Sequence, residues 1–302
     1  MNYRELCKRL EKVYPSEGWS EATAIVRLVL EIRFGMTYTD IVCGKVSELS
    51  EDEQLSLEEI MQRLEKGEPV QYVLGEADFD GHTFHVEPGV LIPRPETAEL
   101  IPHLKVAGDQ PYRVLDIGTG SGCIAISTAL DFTNAEVEAW DISEDALRIA
   151  KGNAELLGAK VKFEQHDILE VAEILSVNRN LSANPDSTIE PKTFCLEPEV
   201  FDIIVSNPPY IAEKEAKDMS RNVLDYEPSI ALFVPDDDPL RFYRAIAKVG
   251  KYALKPEGQL YFEINPLYAE EMKAMLEEEG YKDTELLEDQ FGKQRFTKSI
   301  RS

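Results

Sequence analysis

Apolar residues recur at helical spacing through the first quarter of the chain. Two such series fall three or four residues apart, the period of a helix with one buried face; they are Leu6, Leu10, Val13 and Tyr14, then Ala22, Ile25, Val26, Val29, Leu30 and Phe34. Ser50-Glu51-Asp52-Glu53 has the form of a capping box before a third helical stretch, Leu55 to Leu64, and Gly67 is a stop signal. The pattern predicts a helical domain over residues 1–75.

The pattern changes after residue 75. Residues 76–92 have the form of a hairpin that turns near Gly81, and an extended link containing proline follows, so we place a hairpin and linker at 76–94. From Pro95 onward, helical stretches alternate with short apolar strands. This alternation is typical of a mostly parallel, doubly wound sheet. We therefore predict an α/β domain over residues 95–302.

One segment interrupts this alternation. Residues 176–199 are rich in Asn, Ser, Pro and Glu and contain few apolar residues. We predict a long surface loop there. A tolerated insertion is favoured over a partner contact because long surface loops cost little free energy.

The chemistry concentrates in a turn after the apolar run Phe201 to Ser206. In Asn207-Pro208-Pro209-Tyr210, proline restricts both its own φ and the residue before it, so the Asn207 side-chain oxygen and the Pro208 carbonyl can converge. Two acceptors suit a planar NH2 group, and Tyr210 offers a flat face. We predict methylation of an amide or nucleobase nitrogen, with Asn207, Pro208 and Tyr210 catalytic and the four-residue turn binding substrate. The alternative is a plain strand-ending turn.

A glycine-rich turn follows another predicted strand, Arg113 to Ile117. Gly118-Thr119-Gly120-Ser121-Gly122 leads into a helix predicted from about Ser121 to Leu130. Glycines let the backbone pass close to a ligand, and a helix N-terminus offers free N–H groups to an anion. The dinucleotide fingerprint fails because Cys123 occupies the place of its third glycine. The turn therefore favours a smaller nucleoside, S-adenosylmethionine, over NAD or FAD.

Two acids end the next two predicted strands. Asp141 follows Glu136 to Trp140, where an acid can bind ribose hydroxyls. Asp167 follows Val161 to Gln165, and we place it in the adenine pocket. The alternative for both is a role in capping the helices that follow.

Bulk properties narrow the function. The chain has 302 residues, with 32 Lys and Arg against 57 Asp and Glu, a net charge of −25 that argues against a nucleic-acid partner. Its four cysteines lie far apart without a CxxC pair, so we predict neither a disulfide scaffold nor a metal site. The N-terminus lacks a signal-peptide pattern, and no apolar run could span a bilayer. We expect a cytoplasmic protein.

Four segments, the Asn207 turn among them, carry a family resemblance. Pro69-Val70-Gln71-Tyr72-Val73-Leu74-Gly75, Val90-Leu91-Ile92-Pro93-Arg94-Pro95-Glu96-Thr97 and the Asn207 turn stand in order along the chain, and Glu227-Pro228 follows. In these segments the chain resembles the release factor glutamine methyltransferases, also called the HemK or PrmC family. The first two segments are much more specific than the Asn207 turn, which many amino-methyltransferases share.

The resemblance implies a Rossmann-like, seven-stranded methyltransferase domain behind a small helical domain that docks the substrate. It implies methyl transfer from S-adenosylmethionine, leaving S-adenosylhomocysteine, to N5 of the glutamine in the Gly-Gly-Gln loop of class 1 peptide chain release factors. It assigns cofactor contacts to Gly118 through Gly122, Asp141, Ile168 and Asn207; Asp167 is our addition. Two alternatives stay open: a nucleic-acid amino-methyltransferase acting on adenine N6 or guanine N2, and a non-catalytic adaptor with this fold.

Overall fold

The computed structural model describes residues 2–14, 20–183 and 196–302. Its helices are α1 Tyr3–Leu10, α2 Ser20–Phe34, α3 Tyr38–Val42, α4 Glu51–Glu65, α5 Val70–Leu74, α6 Cys123–Asp131, α7 Glu144–Leu157, α8 Ile168–Ala183, α9 Arg221–Tyr226, α10 Ser229–Leu232, α11 Arg241–Ala253 and α12 Ala269–Glu278. Short 3₁₀ helices lie at Lys45–Glu48, Pro95–His103, Glu213–Asp218 and Pro266–Tyr268. Within the described residues, no helix combines the length and apolar character needed to cross a membrane.

The strands follow the predicted hairpin and the predicted alternation with helices. They are β1 Glu76–Phe79, β2 His82–His85, β3 Tyr112–Ile117, β4 Ala135–Asp141, β5 Val161–Gln165, β6 Phe201–Ser206, β7 Ile211–Ala212, β8 Phe233–Val234, β9 Leu254–Glu263, β10 Tyr281–Glu288 and β11 Gln294–Arg301. Strands β1 and β2 pair as a hairpin. Its turn residues Asp80 and Gly81 have φ values of 51° and 76°. Two-residue hairpin turns with positive φ at both positions favour the pair Asp-Gly, and glycine adopts such values without strain.

The chain forms two compact units. The first contains Met1–Glu76, Val86–Pro88 and Met219–Glu227; the second contains Ala77–His85, Gly89–Asp218 and Pro228–Ser302. The core of the first unit consists largely of the apolar side chains that recur at helical spacing, including Leu10, Val26 and Leu30. The predicted capping box is confirmed: Ser50 Oγ accepts from the Glu53 amide, and the Glu53 carboxylate accepts from the Ser50 amide. Helix α4 therefore begins where its sequence signal stands.

The second unit is built on a seven-stranded sheet in the order β10-β11-β9-β6-β3-β4-β5. Strands β3, β4, β5, β6 and β9 are parallel to their neighbours within this group, and β10 and β11 are antiparallel additions. The predicted α/β sheet is thus confirmed. From β3 the chain adds strands first on one side and later on the other, so a crevice opens where β3 and β6 end, the position at which such sheets bind ligands.

Both faces of this sheet are covered, which explains the continuous apolar run in β6. Ile203 and Val205 belong to the core on one face, and Ile204 belongs to the core on the other. A parallel strand buried on both sides needs apolar residues at every position, not at alternate ones. The run therefore ends where the strand leaves the core, at Asn207.

The predicted loop over residues 176–199 is wrong at its start. Helix α8 continues to Ala183, so the first eight residues of the predicted loop are helical; residues 184–195 lie outside the described part. The helix packs against α11, and Val171, Ala172 and Ile174 are buried there. Packing of the first two turns carries the helix into a segment whose own composition favours a loop, because tertiary contacts outweigh weak local preference.

Candidate active site

A cavity of about 330 Å³ lies in the second unit, around the carboxyl ends of β3, β4 and β6. The predicted site residues that line it are Gly118, Thr119, Gly120, Ser121, Asp141, Asp167, Ile168, Asn207, Pro208 and Pro209. Residues from three separate motifs therefore face one enclosed space. Two predicted residues, Gly122 and Tyr210, do not line this cavity.

The glycines of the turn have two different tasks. Gly118 and Gly120 have φ values of 77° and 56°, and a Cβ built on either would meet no atom within 4 Å. Gly122 is buried, with φ of 84°, and its Cβ would come within 2.8 Å of Ile126 Cδ1 and 3.1 Å of Ala150 Cβ. The first two keep backbone bare beside the cavity. Gly122 allows close packing behind it, and α6 accordingly begins at Cys123 instead of at the predicted Ser121.

Asp141 organises the turn from the end of β4. Its Oδ2 accepts from the Gly120 amide and its Oδ1 from the Ser143 amide, both at 2.9 Å. Burial raises the pKa of this carboxyl. Each oxygen keeps a further lone pair, so the carboxylate can still accept from a ligand hydroxyl in the cavity.

Asp167 has the capping role that the alternative interpretation predicted. Its Oδ1 accepts from the Leu169 amide at 2.8 Å, at the start of α8. It also borders the cavity, as does Ile168. The structure therefore shows capping together with a place on the cavity wall.

A buried acid, Asp116, lies just before the glycine turn and was missed by the sequence analysis. It is fully buried in β3, and its Oδ2 accepts from Thr119 Oγ1 at 2.7 Å. Burial raises the pKa of this carboxyl to about 7. A charged residue inside an otherwise apolar strand, two positions before a glycine turn, is the signal that could have identified it.

The Asn207 turn is held from outside its own loop. Asn207 Nδ2 donates to Thr97 Oγ1 at 3.4 Å, a long hydrogen bond. Thr97 in turn donates to Glu263 Oε2 at 2.5 Å. With its nitrogen occupied, Asn207 keeps Oδ1 available as an acceptor at the cavity.

Tyr210, the last residue of the turn, is held by Glu263. Its hydroxyl donates to Glu263 Oε1 at 3.1 Å, and its ring, half-buried, packs against the core that includes Tyr243. Burial raises the pKa of the phenol well above its ordinary value, and the nearby Glu263 carboxylate adds to the shift. Tyr210 therefore supports the turn through its hydrogen bond to Glu263 and its packing against the core.

Glu263 is the largest omission from the sequence analysis. It ends β9 with 1% of its surface exposed and accepts hydrogen bonds from both Thr97 and Tyr210. Ser206 pairs with Phe262 in the parallel register, which places the ends of β6 and β9 side by side. A carboxylate that ends an apolar strand is the same signal that identified Asp141, and it was available here too.

Other cavity residues carry no motif and were also missed. The apolar and aromatic ones include Trp140, Phe242 and Ile246, the last two spaced four apart on α11. His166 lies against Trp140, with ring centroids 4.5 Å apart. Bare glycine backbone, a carboxylate with free lone pairs and flat apolar walls together fit a nucleoside such as that of S-adenosylmethionine.

Comparison with known proteins decides the family. A model of the PrmC N-terminal domain matches residues 3–75, and a model of a methyltransferase domain matches residues 109–299. The release factor glutamine methyltransferase of Bacteroides thetaiotaomicron is 46% identical over 286 residues, covering 95% of this chain and 94% of that protein. That of Flavobacterium psychrophilum is 37% identical and covers 98% and 97%. The chain belongs to the release factor glutamine methyltransferase family. The resemblance seen in the sequence is thereby confirmed.

Membership of this family makes the protein an S-adenosylmethionine-dependent methyltransferase. Among solved structures, a methyltransferase from Pyrococcus furiosus is similar, with a TM-score of 0.48 and 16% identity over 72% of this chain and 88% of that one. A likeness at that level bears on neither substrate nor site.

Proposed function

We propose that this enzyme methylates the side-chain amide nitrogen, N5, of the glutamine in the Gly-Gly-Gln loop of class 1 peptide chain release factors. One observation carries the proposal: Asn207 borders the same cavity as the glycine turn, with its nitrogen bound to Thr97 and its oxygen left to accept. The relatives align over almost the whole chain, and their names support a release factor over the nucleic-acid alternative.

The acceptor half of the site answers a specific chemical difficulty. An amide nitrogen is a poor nucleophile because its lone pair is delocalised into the carbonyl. Asn207 Oδ1 and the Pro208 carbonyl would accept its two N–H hydrogens and fix the direction of the lone pair. Orientation of this kind contributes up to roughly 7–11 kcal/mol in well-aligned systems. Pro209 would border the bound amide, and Tyr210 would hold the turn in shape through Glu263.

The cofactor half would hold the nucleoside. Gly118 through Ser121 would pass along it, Asp141 would accept from ribose hydroxyls, and Asp167 with Ile168 would border the adenine. When bound, S-adenosylmethionine would supply an electrophilic methyl group and leave as S-adenosylhomocysteine, and the methylated nitrogen would then lose one of its two N–H protons. Gly122 would contribute indirectly, by letting α6 pack closely under the turn. Asn207 would border both halves.

The domain division completes the proposal. The helical domain over residues 1–75 would dock the release factor, residues 76–94 would link it, and residues 95–302 would carry the chemistry. Support comes from the match of residues 3–75 to a PrmC N-terminal domain and from a cavity lined only by residues beyond 88. Exposed apolar side chains on α3, Tyr38 and Val42, suit a protein contact. A release-factor substrate would place the reaction in the cytoplasm.

The decisive test is transfer of a labelled methyl group from S-adenosylmethionine to purified class 1 release factor. We expect label in the intact factor, none in a factor whose loop glutamine is replaced by alanine, and none in RNA. A short peptide containing Gly-Gly-Gln should be methylated with a much higher KM if the helical domain docks the factor. Label that persists in the alanine factor, or that appears in RNA, would contradict the proposal.

A further inference from the structure

We propose that Glu263 and Thr97 act as positioning residues that determine which way the Asn207 amide faces. The inference rests on the proposed function, because it concerns how the acceptor for the substrate NH2 is set. Thr97 borders the cavity and Glu263 does not, and the role proposed for them acts through Asn207.

The starting point is a carboxylate that accepts at both oxygens. Glu263 Oε2 accepts from Thr97 and Oε1 from Tyr210, so two hydroxyl hydrogens point at one buried group. Arg295 supplies compensating positive charge nearby, although its Nε donates to Asp289 Oδ2 at 2.7 Å. Burial raises the pKa of Glu263, and the hydroxyls of Thr97 and Tyr210 together with the charge of Arg295 oppose that rise, because each favours the ionised, acceptor-only carboxylate.

The carboxylate decides what Thr97 can offer to Asn207. A hydroxyl has one hydrogen, and that of Thr97 points to Glu263 at 2.5 Å. Towards Asn207, Thr97 Oγ1 therefore presents only lone pairs. Asn207 must place its NH2 group there, since the opposite amide orientation would set two acceptors against each other. Oδ1 is thereby directed away from Thr97, on the side where the proposed substrate amide must be held.

The same carboxylate supports the other end of the turn through Tyr210. The two hydroxyls are supplied by segments far apart in sequence, at Thr97 and Tyr210, and the Tyr243 hydroxyl holds the backbone of Glu263 by donating to its carbonyl at 2.9 Å. One side chain thus aligns the first and last residues of the Asn207 turn. A single amide reversal at Asn207 would exchange an acceptor for a donor at the substrate, which is a large chemical change for a small movement.

Thr97→Val tests this relay, by which we mean the chain of hydrogen bonds from Glu263 through Thr97 to Asn207. Valine keeps the shape of the threonine side chain and removes its hydroxyl. We expect kcat to fall by up to roughly 100-fold, the effect of misplacing a reacting group by about 1 Å. The KM for release factor and the affinity for S-adenosylhomocysteine should stay within about twofold, since the lost bond orients the acceptor and binds neither ligand. Thr97→Ser, which restores the hydroxyl, should recover most of the activity.

Thr297→Val is the matched control. Thr297 is fully buried in β11, and its Oγ1 has no hydrogen-bond partner in the described parts of the chain. The same exchange of hydroxyl for methyl should leave kcat near the wild-type value. Glu263→Leu gives a second route to the answer. It removes both acceptor oxygens and should also lower kcat, and combining it with Thr97→Val should add little more, because both changes break the same chain of hydrogen bonds.

The outcomes separate this inference from the proposed function. If wild-type enzyme does not methylate release factor, the proposed function fails. If wild type is active and folded Thr97→Val matches Thr297→Val in kcat, the relay is refuted. Loss of activity that Thr97→Ser does not recover also refutes it, since the hydroxyl would then be immaterial. If Thr97→Val does not fold, wild-type kcat in Glu263→Leu, which has no acceptor for the Thr97 hydroxyl, overturns the inference instead.

Discussion

The two halves of the cavity are built in different ways. On the cofactor side, Asp141 binds amides 21 and 2 residues away, and Asp167 binds one 2 residues away. On the acceptor side, the Asn207–Thr97 and Thr97–Glu263 bonds join residues 110 and 166 positions apart. One half is assembled from bonds that span at most 21 residues, within and between the loops that follow neighbouring strands. The other depends on three segments, distant in sequence, that meet at the carboxyl ends of β6 and β9.

This difference implies a division of labour. A pocket whose polar groups are bound by local backbone keeps its shape when distant segments shift. An acceptor held by side chains from remote segments is correct only when the sheet is fully formed. We therefore expect changes in the acceptor half to lower turnover and changes in the cofactor half to lower affinity or stability.

Asn207→Ala should produce the largest effect. It removes the proposed side-chain acceptor, and loss of one preorganised hydrogen-bonding group in an active site typically lowers kcat by about 100- to 1000-fold. Release-factor KM should change much less, because remote contacts supply most of the binding. Steady-state kinetics, with circular dichroism to confirm folding, is the measurement. Near-normal turnover in a folded variant would mean that the acceptor half of the cavity does not carry the chemistry.

Asp141→Ala should act through binding. Loss of hydrogen bonds from ribose to a charged group would weaken affinity for S-adenosylhomocysteine by about 1.5–3 kcal/mol. Calorimetric titration measures it. Asp141 binds the Gly120 and Ser143 amides through different oxygens. Asp141→Asn keeps one acceptor oxygen and therefore one of these two bonds, so it is a partial control for support of the loop. Unchanged affinity in Asp141→Ala would limit the residue to supporting the loop.

Asp116, beside the glycine turn of the cofactor half, should show the smallest effect. We expect it as a pH dependence of the free energy of unfolding. Burial, with a contribution from the Asp141 charge, raises the pKa of Asp116 from 3.8 to about 7 in the folded protein. The folded state thus holds a proton that the unfolded state has released, so stability falls as pH rises towards 7. Between pH 6 and pH 7 the loss should be about 1 kcal/mol.

Asp116→Asn gives the comparison for this effect. Asparagine has no titrating proton, and its oxygen can still accept from Thr119. Urea unfolding of both proteins at pH 6 and pH 7 measures the difference. If wild type and Asp116→Asn show the same pH dependence over this interval, then Asp116 does not titrate there.

The predictions from sequence succeeded where the signal and its partner were close together. The Ser50 capping box, the Asp80-Gly81 turn and the glycine loop each involve residues within a few positions, and the structure has all three. The loop predicted over residues 176–199 was wrong at its start, because packing of α8 against α11 sustains the helix where the local composition is polar. The hydrogen bond between Tyr210 and Glu263 joins residues 53 positions apart, so no local pattern predicts it.

The amino-acid sequence by itself determined the strand and helix types, the φ-restricted turns and the chemical groups available at the strand ends, because these depend on neighbouring residues. Only the tertiary structure decided which groups meet. Placing β9 beside β6 brought Glu263 next to the Asn207 turn, and the 3₁₀ helix at Pro95–His103 brought Thr97 between them. The direction of the Asn207 amide follows from that meeting, because a hydrogen bond between side chains more than a hundred residues apart has no local pattern to announce it.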